Sequence, residues 1–180
     1  MKKFLLRKVS VVIAASAIVS FASCSQNAAS SRPPKFEDVS VADATYNVLE
    51  FLNENIPFFI ATVEVNNTMA RVRPFSFVME HESKLYFCTS SEKEVSKQLK
   101  KNPYFEICAC SPQGDWMRIR GKAVLETNVA VKEKSFEMAP YLAALYQEAS
   151  NPDYELYGIE QGECSYNSSN GTPTKYYKLY

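Results

Sequence analysis

Phe58 to Val65 (FFIATVEV), the pair Asn66-Asn67, and Ala70 to Glu80 (ARVRPFSFVME) form the stretch on which the fold turns. Two β-rich runs flank a turn signal, the pattern of a hairpin. Pro74 has no N–H to give to a ladder, so the second run belongs at a sheet edge or a bulge. Arg71 and Arg73 alternate along it and share a face. Toward the C-terminus, His81-Glu82-Ser83 reads as a second hairpin turn and Lys84 to Thr89 as a third strand. Ser91 to Lys101 places Val95 and Leu99 four apart, on one helix face. Tyr104 to Ser111 is a fourth strand, and Trp116 to Glu126 a fifth with Gly121 as a candidate bulge. Asn128 to Gln147 reads as helix interrupted at Pro140, and Tyr154 to Glu160, Glu163 to Asn167 and Thr174 to Leu179 as short closing strands. Toward the N-terminus, Asp43 is the expected cap of a helix running to about Asn53, which Pro57 ends. Hairpins dominate and helices sit between them. The fold class expected is mainly β with appended helices, an antiparallel barrel rather than an alternating βαβ sheet.

With 180 residues, 46% apolar and 22% charged, the chain is one globular domain with an appendage, neither disordered nor collagen-like. Its 20 basic and 20 acidic residues balance, but the first 23 residues hold Lys2, Lys3, Arg7 and Lys8 and no acid. The remainder carries a net charge of −4, which argues against a dedicated nucleic-acid surface. Residues 1–23 read as a bacterial export signal, with the apolar run Val9 to Val19 too short to span a bilayer comfortably. Phe21-Ala22-Ser23-Cys24 has the form of a lipobox, so Cys24 is the expected lipidated N-terminus of a protein anchored to the cell envelope. A plain secretory signal or an uncleaved anchor is the competing reading. Residues 24–39 form a polar, flexible tether and 40–180 the domain. Arg7-Lys8 is not a twin arginine, which favours export of the unfolded chain.

No metal site is expected. The one histidine, His81, falls in a turn between charged residues. Cys108 and Cys110 share a strand face, without the spacing of a zinc knuckle or a thioredoxin motif. Together with Cys88 and Cys164 they read as buried structural thiols, although export leaves a disulfide among the four open. A Cys–His or Ser–His nucleophile lacks its histidine, and no catalytic residue is assigned. The basic residues offer more. Thr89-Ser90-Ser91 and Lys93 bring hydroxyls, free N–H groups and a cation to a helix N-terminus, a chemically reasonable phosphate site. The same residues also suit a capped helix start with a solvated lysine, and the pattern alone leaves both readings open.

Several segments in order resemble the pyridoxamine 5′-phosphate oxidase-like flavoproteins, the FMN-binding split barrels. They are Phe59-Ile60-Ala61-Thr62-Val63, Ala70-Arg71-Val72-Arg73-Pro74-Phe75, Leu85-Tyr86-Phe87-Cys88-Thr89-Ser90, Lys93 with Gln98-Leu99, Asn102-Pro103, Asp115-Trp116-Met117-Arg118-Ile119 and Gly121-Lys122-Ala123. The resemblance runs from about Ile56 to Tyr166. It implies a split β-barrel that pairs as a homodimer, with FMN at the interface. It also implies that Arg73, Ser90 and Lys93 hold the phosphate, that Arg71, Val72, Pro74 and Thr89 line the flavin, and that Gln98 reaches the cofactor. Trp116 would flank the site of the opposite subunit, or else be a core aromatic. The activity implied is that of an FMN-dependent oxidoreductase passing electrons or hydride to a small acceptor. The alternatives are a non-catalytic dimeric barrel that binds flavin, haem or another planar ligand, and a degenerate barrel kept for protein contacts. The tail Tyr176-Tyr177-Lys178-Leu179-Tyr180 has neither Trp nor Arg, so vitamin B6 oxidation itself is not expected.

Overall fold

The computed structural model describes residues 34–64 and 69–179. The export segment, Cys24, most of the tether and the Asn66-Asn67 turn lie outside the described residues. The body, Pro34–Tyr180, is one compact unit.

Its strands are β1 (Phe58–Val63), β2 (Ala70–Phe75), β3 (Met79–His81), β4 (Lys84–Ser90), β5 (Tyr104–Cys110), β6 (Trp116–Leu125), β7 (Tyr154–Asn167) and β8 (Lys175–Lys178). The helices are α1 (Val41–Glu54), α2 (Glu94–Lys101), α3 (Val129–Met138) and α4 (Tyr141–Tyr146). Neighbours run in the order β2-β1-β5-β6-β7-β4-β3, with β8 also on β7, and every pairing is antiparallel. The class read from the sequence is the class observed.

The expected single strand Ala70 to Glu80 is in fact two. β2 and β3 are opposite ends of the sheet order, yet only Ser76, Phe77 and Val78 separate them. Four residue steps span at most about 14 Å. The sheet must therefore curl until its edges almost meet, leaving a split that this short crossing bridges. Pro74 sits on one of those edges, as its missing N–H requires.

Other boundaries shift for local reasons. Ser40, not Asp43, caps α1: its Oγ accepts from the Asp43 N–H at 3.0 Å and donates to Asp43 Oδ2 at 2.6 Å, a reciprocal cap. Helix α2 starts at Glu94, three residues later than expected, because the backbone of Lys93 is extended, with φ −77° and ψ 145°, and cannot continue a helical turn back to Ser91. Glu82 and Ser83 both have positive φ, 50° and 60°, the backbone of a tight two-residue hairpin. The two closing strands from Tyr154 to Asn167 are one, β7, bent by a bulge. Arg120 pairs with Glu163 and Lys122 with Glu160, so Gln161 and Gly162 together oppose Gly121. The extra residue is thus on β7 rather than at Gly121. Gly121 is the residue that admits it: a Cβ there would stand 3.0 Å from Ile159 Cγ2 and 3.1 Å from the Glu160 carbonyl oxygen.

Two apolar clusters hold the body together. Inside the barrel, Phe58, Ile60, Leu85, Phe87, Phe105, Ile107, Ile119 and Tyr157 pack with Val48 and Leu52 of α1 and Val95 and Leu99 of α2. On the other face of β4, Met79, Tyr86, Tyr154 and Leu156 pack against Phe77, Ala139 and Leu142. Strand alternation explains the division, because Leu85 and Phe87 point one way and Tyr86 and Cys88 the other. Lys100 ties α2 to Glu155 of β7 at 2.5 Å. Burial pushes the Glu155 carboxyl up, yet its hydrogen-bonded neighbours, Lys100 foremost, hold it below the ordinary value. The four described cysteines are free. Cys164 is buried as expected, but Cys108 and Cys110 are exposed, because the face of β5 they share is the outer one.

Candidate functional site

A groove of about 280 Å³ opens at the split. One side is the end of β2 and the crossing, Arg73 through Phe77; the floor includes Cys88 and Val95. Lys93 enters from the turn before α2, and Tyr141, Leu142, Leu145 and Tyr146 of α4 form the far wall.

Arg73 is held from behind. Its Nη1 donates to Thr62 Oγ1 at 2.6 Å and its Nη2 to Gln98 Oε1 at 2.8 Å. Thr62 Oγ1 itself donates to Gln98 Oε1 at 2.5 Å. Both acceptors are neutral. Partial burial, and then the nearby Arg71 charge, lower the Arg73 pKa, but a guanidinium stays charged in proteins. Lys93 occupies the N-cap position of α2 without a side-chain cap. Among the described residues, neither Arg73 nor Lys93 has a carboxylate partner. Two uncompensated cations therefore face one groove at a helix N-terminus. That arrangement attracts an anion, and a phosphate is the anion whose several oxygens and double charge use both. The remaining walls are largely apolar or aromatic and suit the rest of an organic phosphate. The surroundings of Cys88 disfavour its thiolate. Burial pushes its thiol up to about 12 against the opposing pull of Tyr154 and Lys93.

The residues expected at the site divide. Arg73, Pro74 and Lys93 line the groove. Gln98 is 3% exposed and reaches the groove only through Arg73, which makes it a positioning residue. Ser90 Oγ accepts from the Glu92 N–H at 3.3 Å and shapes the turn that carries Lys93. Thr89 points into the barrel, 3% exposed, and its hydroxyl has no hydrogen-bond partner among the described residues. Arg71 turns to Glu64 at 2.8 Å, and Val72, 64% exposed, lies on the opposite face of β2. Trp116 stands at the start of β6 under the Arg118 guanidinium, 5.5 Å from its ring centroid, and does not line the groove of its own chain. Sequence reasoning missed Thr62, Ser76, Phe77 and the α4 wall. Tyr141 and Leu145 are four apart after Pro140, so a helix face was legible there, but what that face covers depends on how α3 and α4 fold back.

Fold and groove together define a split antiparallel barrel with a cationic, partly aromatic cleft at its seam. The profile described as "Pyridoxamine 5'-phosphate oxidase" matches residues 44–167, and the chain belongs to that family. Among solved structures, it is similar to a nimc/nima family protein from Clostridium acetobutylicum, with 29% identity and a TM-score of 0.72 over 77% of this chain and 94% of that one. A pyridoxamine 5′-phosphate oxidase-related, FMN-binding protein from Nostoc punctiforme shares the fold at 18% identity and a TM-score of 0.54, over 76% of this chain and 86% of that one. So does a heme binding protein from Mycobacterium smegmatis, at 14% identity and a TM-score of 0.61, over 79% of this chain and 60% of that one. No curated protein matches the chain.

Proposed function

We propose that this protein is an FMN-binding oxidoreductase, passing electrons or hydride to a small acceptor, and that lipid on Cys24 holds it at the cell envelope. The observation that carries the reading is the pair of uncompensated cations, Arg73 and Lys93, facing one groove. FMN would supply the redox chemistry; the chain would grip its phosphate and orient the rest. Arg73 is the stronger holder, because its planar fork can take two phosphate oxygens at once. The test is the visible spectrum of the purified full chain. Flavin absorbance bands are the expected result. A red-brown haem spectrum would move the reading to the planar-ligand alternative, and a colourless protein that takes up no added FMN would end it.

The groove of one chain is small for a whole flavin mononucleotide, which supports completion of the site by a second copy. Phe59, Val72, Tyr104 and Trp116 are 45%, 64%, 60% and 36% exposed. The register places Phe59, Val72 and Trp116 on the outer face of adjoining strands β2, β1, β5 and β6. Exposed apolar area of this kind marks interfaces. Sedimentation of the protein at micromolar concentration should report twice the chain mass, and a monomer with flavin bound would contradict a shared site.

Lipid anchoring has its own test. Cys24→Ser should move the protein from the membrane fraction to the soluble fraction. Unchanged membrane association would count against lipidation.

A further inference from the structure

A second cavity lies away from the groove, between α1 and the strands beneath it, with a volume of about 190 Å³. Three aromatic side chains, Phe51, Tyr166 and Tyr177, line it, over a floor that includes Val48 and the buried thioether of Met117. Phe51 meets Tyr166 edge to face, with ring centroids 5.8 Å apart at 83°. The Tyr166 hydroxyl donates to Asp115 Oδ2 at 3.0 Å, which fixes that ring. At the mouth stand Glu50 and Glu54, one turn apart on α1. Neither has an ion-pair partner among the described residues, so their like charges repel without relief.

We infer that this cavity binds a small quaternary ammonium group. Aromatic π-faces and a soft sulfur attract a cation that has already lost most of its hydration, and the carboxylates supply the counter-charge at the rim. A primary ammonium finds acceptors at Asn47 and the two carboxylates, but it must shed a far tighter hydration shell to reach the aromatic and aliphatic floor, and that cost favours the quaternary group. The volume suits a headgroup-sized ligand rather than a nucleotide. The site is independent of FMN: it shares no residue with the groove that holds Arg73 and Lys93.

Calorimetric titration of the full chain with choline, with its neutral carbon isostere dimethylbutanol and with ethanolamine tests the inference. Choline is expected to bind about tenfold or more tighter than either of the others. Glu54→Gln, an exposed change on a helix surface, should weaken choline and leave the isostere unaffected. Tyr177→Leu should weaken choline as well, while Arg73→Ala should not. Equal binding of choline and its isostere, tighter binding of ethanolamine, no measurable choline binding, or unchanged choline affinity in both Glu54→Gln and Tyr177→Leu would overturn it.

Discussion

Arg73→Ala is expected to weaken FMN binding by about 10- to 100-fold and to leave riboflavin binding almost unchanged, since a charge-assisted hydrogen bond contributes roughly 1.5–3 kcal/mol. Riboflavin lacks the phosphate, so the contrast separates loss of a phosphate contact from loss of the fold. Lys93→Ala should act in the same direction and less strongly, because an ammonium is a point charge where a guanidinium is a fork. Two of the Arg73 N–H groups are already committed to Thr62 and Gln98. That commitment aims the guanidinium and lowers the entropy lost when a phosphate arrives. Gln98→Leu should therefore weaken FMN less than Arg73→Ala does, although Gln98 itself does not line the groove. Fluorescence-quenching titrations with both ligands give the answer. Equal FMN affinity in wild type, Arg73→Ala and Lys93→Ala would remove this groove as the phosphate site.

Short-range signals account for what the sequence made legible. Strand alternation put Arg71 and Arg73 on one face, and a missing N–H put Pro74 on an edge. Both hold because they depend on a few neighbouring residues. The division of labour between the two arginines was not legible. Arg71 finds Glu64 nearby, whereas Arg73 meets Gln98, twenty-five residues further on, only once α2 packs beside β1. Thr89 shows the same limit. It belongs to the segment that resembles the family, yet strand parity turns it into the barrel beside Phe87 while Cys88 takes the groove side. The break between β2 and β3 was hidden for another reason. Phe75-Ser76-Phe77-Val78 has the composition of a strand throughout, and only the closure of the barrel forces the chain to leave one edge and join the other. The groove exists because of that crossing, so its outline could not be read from local pattern.

The crossing also links stability to the site, and Phe87→Ala probes that link. Phe87 is fully buried, with ring centroids 5.8 Å from Phe75, 5.4 Å from Phe105 and 5.8 Å from Tyr157. These partners come from β2, β5 and β7, so one ring joins three strands to β4. Truncation should cost about 3–5 kcal/mol, the transfer free energy of the ring plus the cavity left behind. That is a large share of the ordinary stability of a domain this size. Phe59→Ala is the matched control, because Phe59 lies on β1 but faces outward at 45% exposure. It should barely move the unfolding of a single chain, and its effect should appear instead in the monomer–dimer equilibrium. Urea unfolding, with sedimentation in parallel, separates the two. A Phe87→Ala midpoint close to wild type, with an unchanged slope, would mean that the barrel seam does not depend on this ring. If the midpoint falls as expected, FMN affinity should fall with it in the still-folded fraction. Phe75 borders the groove directly and Arg73 is two residues before it on the same edge strand, so a looser packing of Phe75 reaches the phosphate-binding fork.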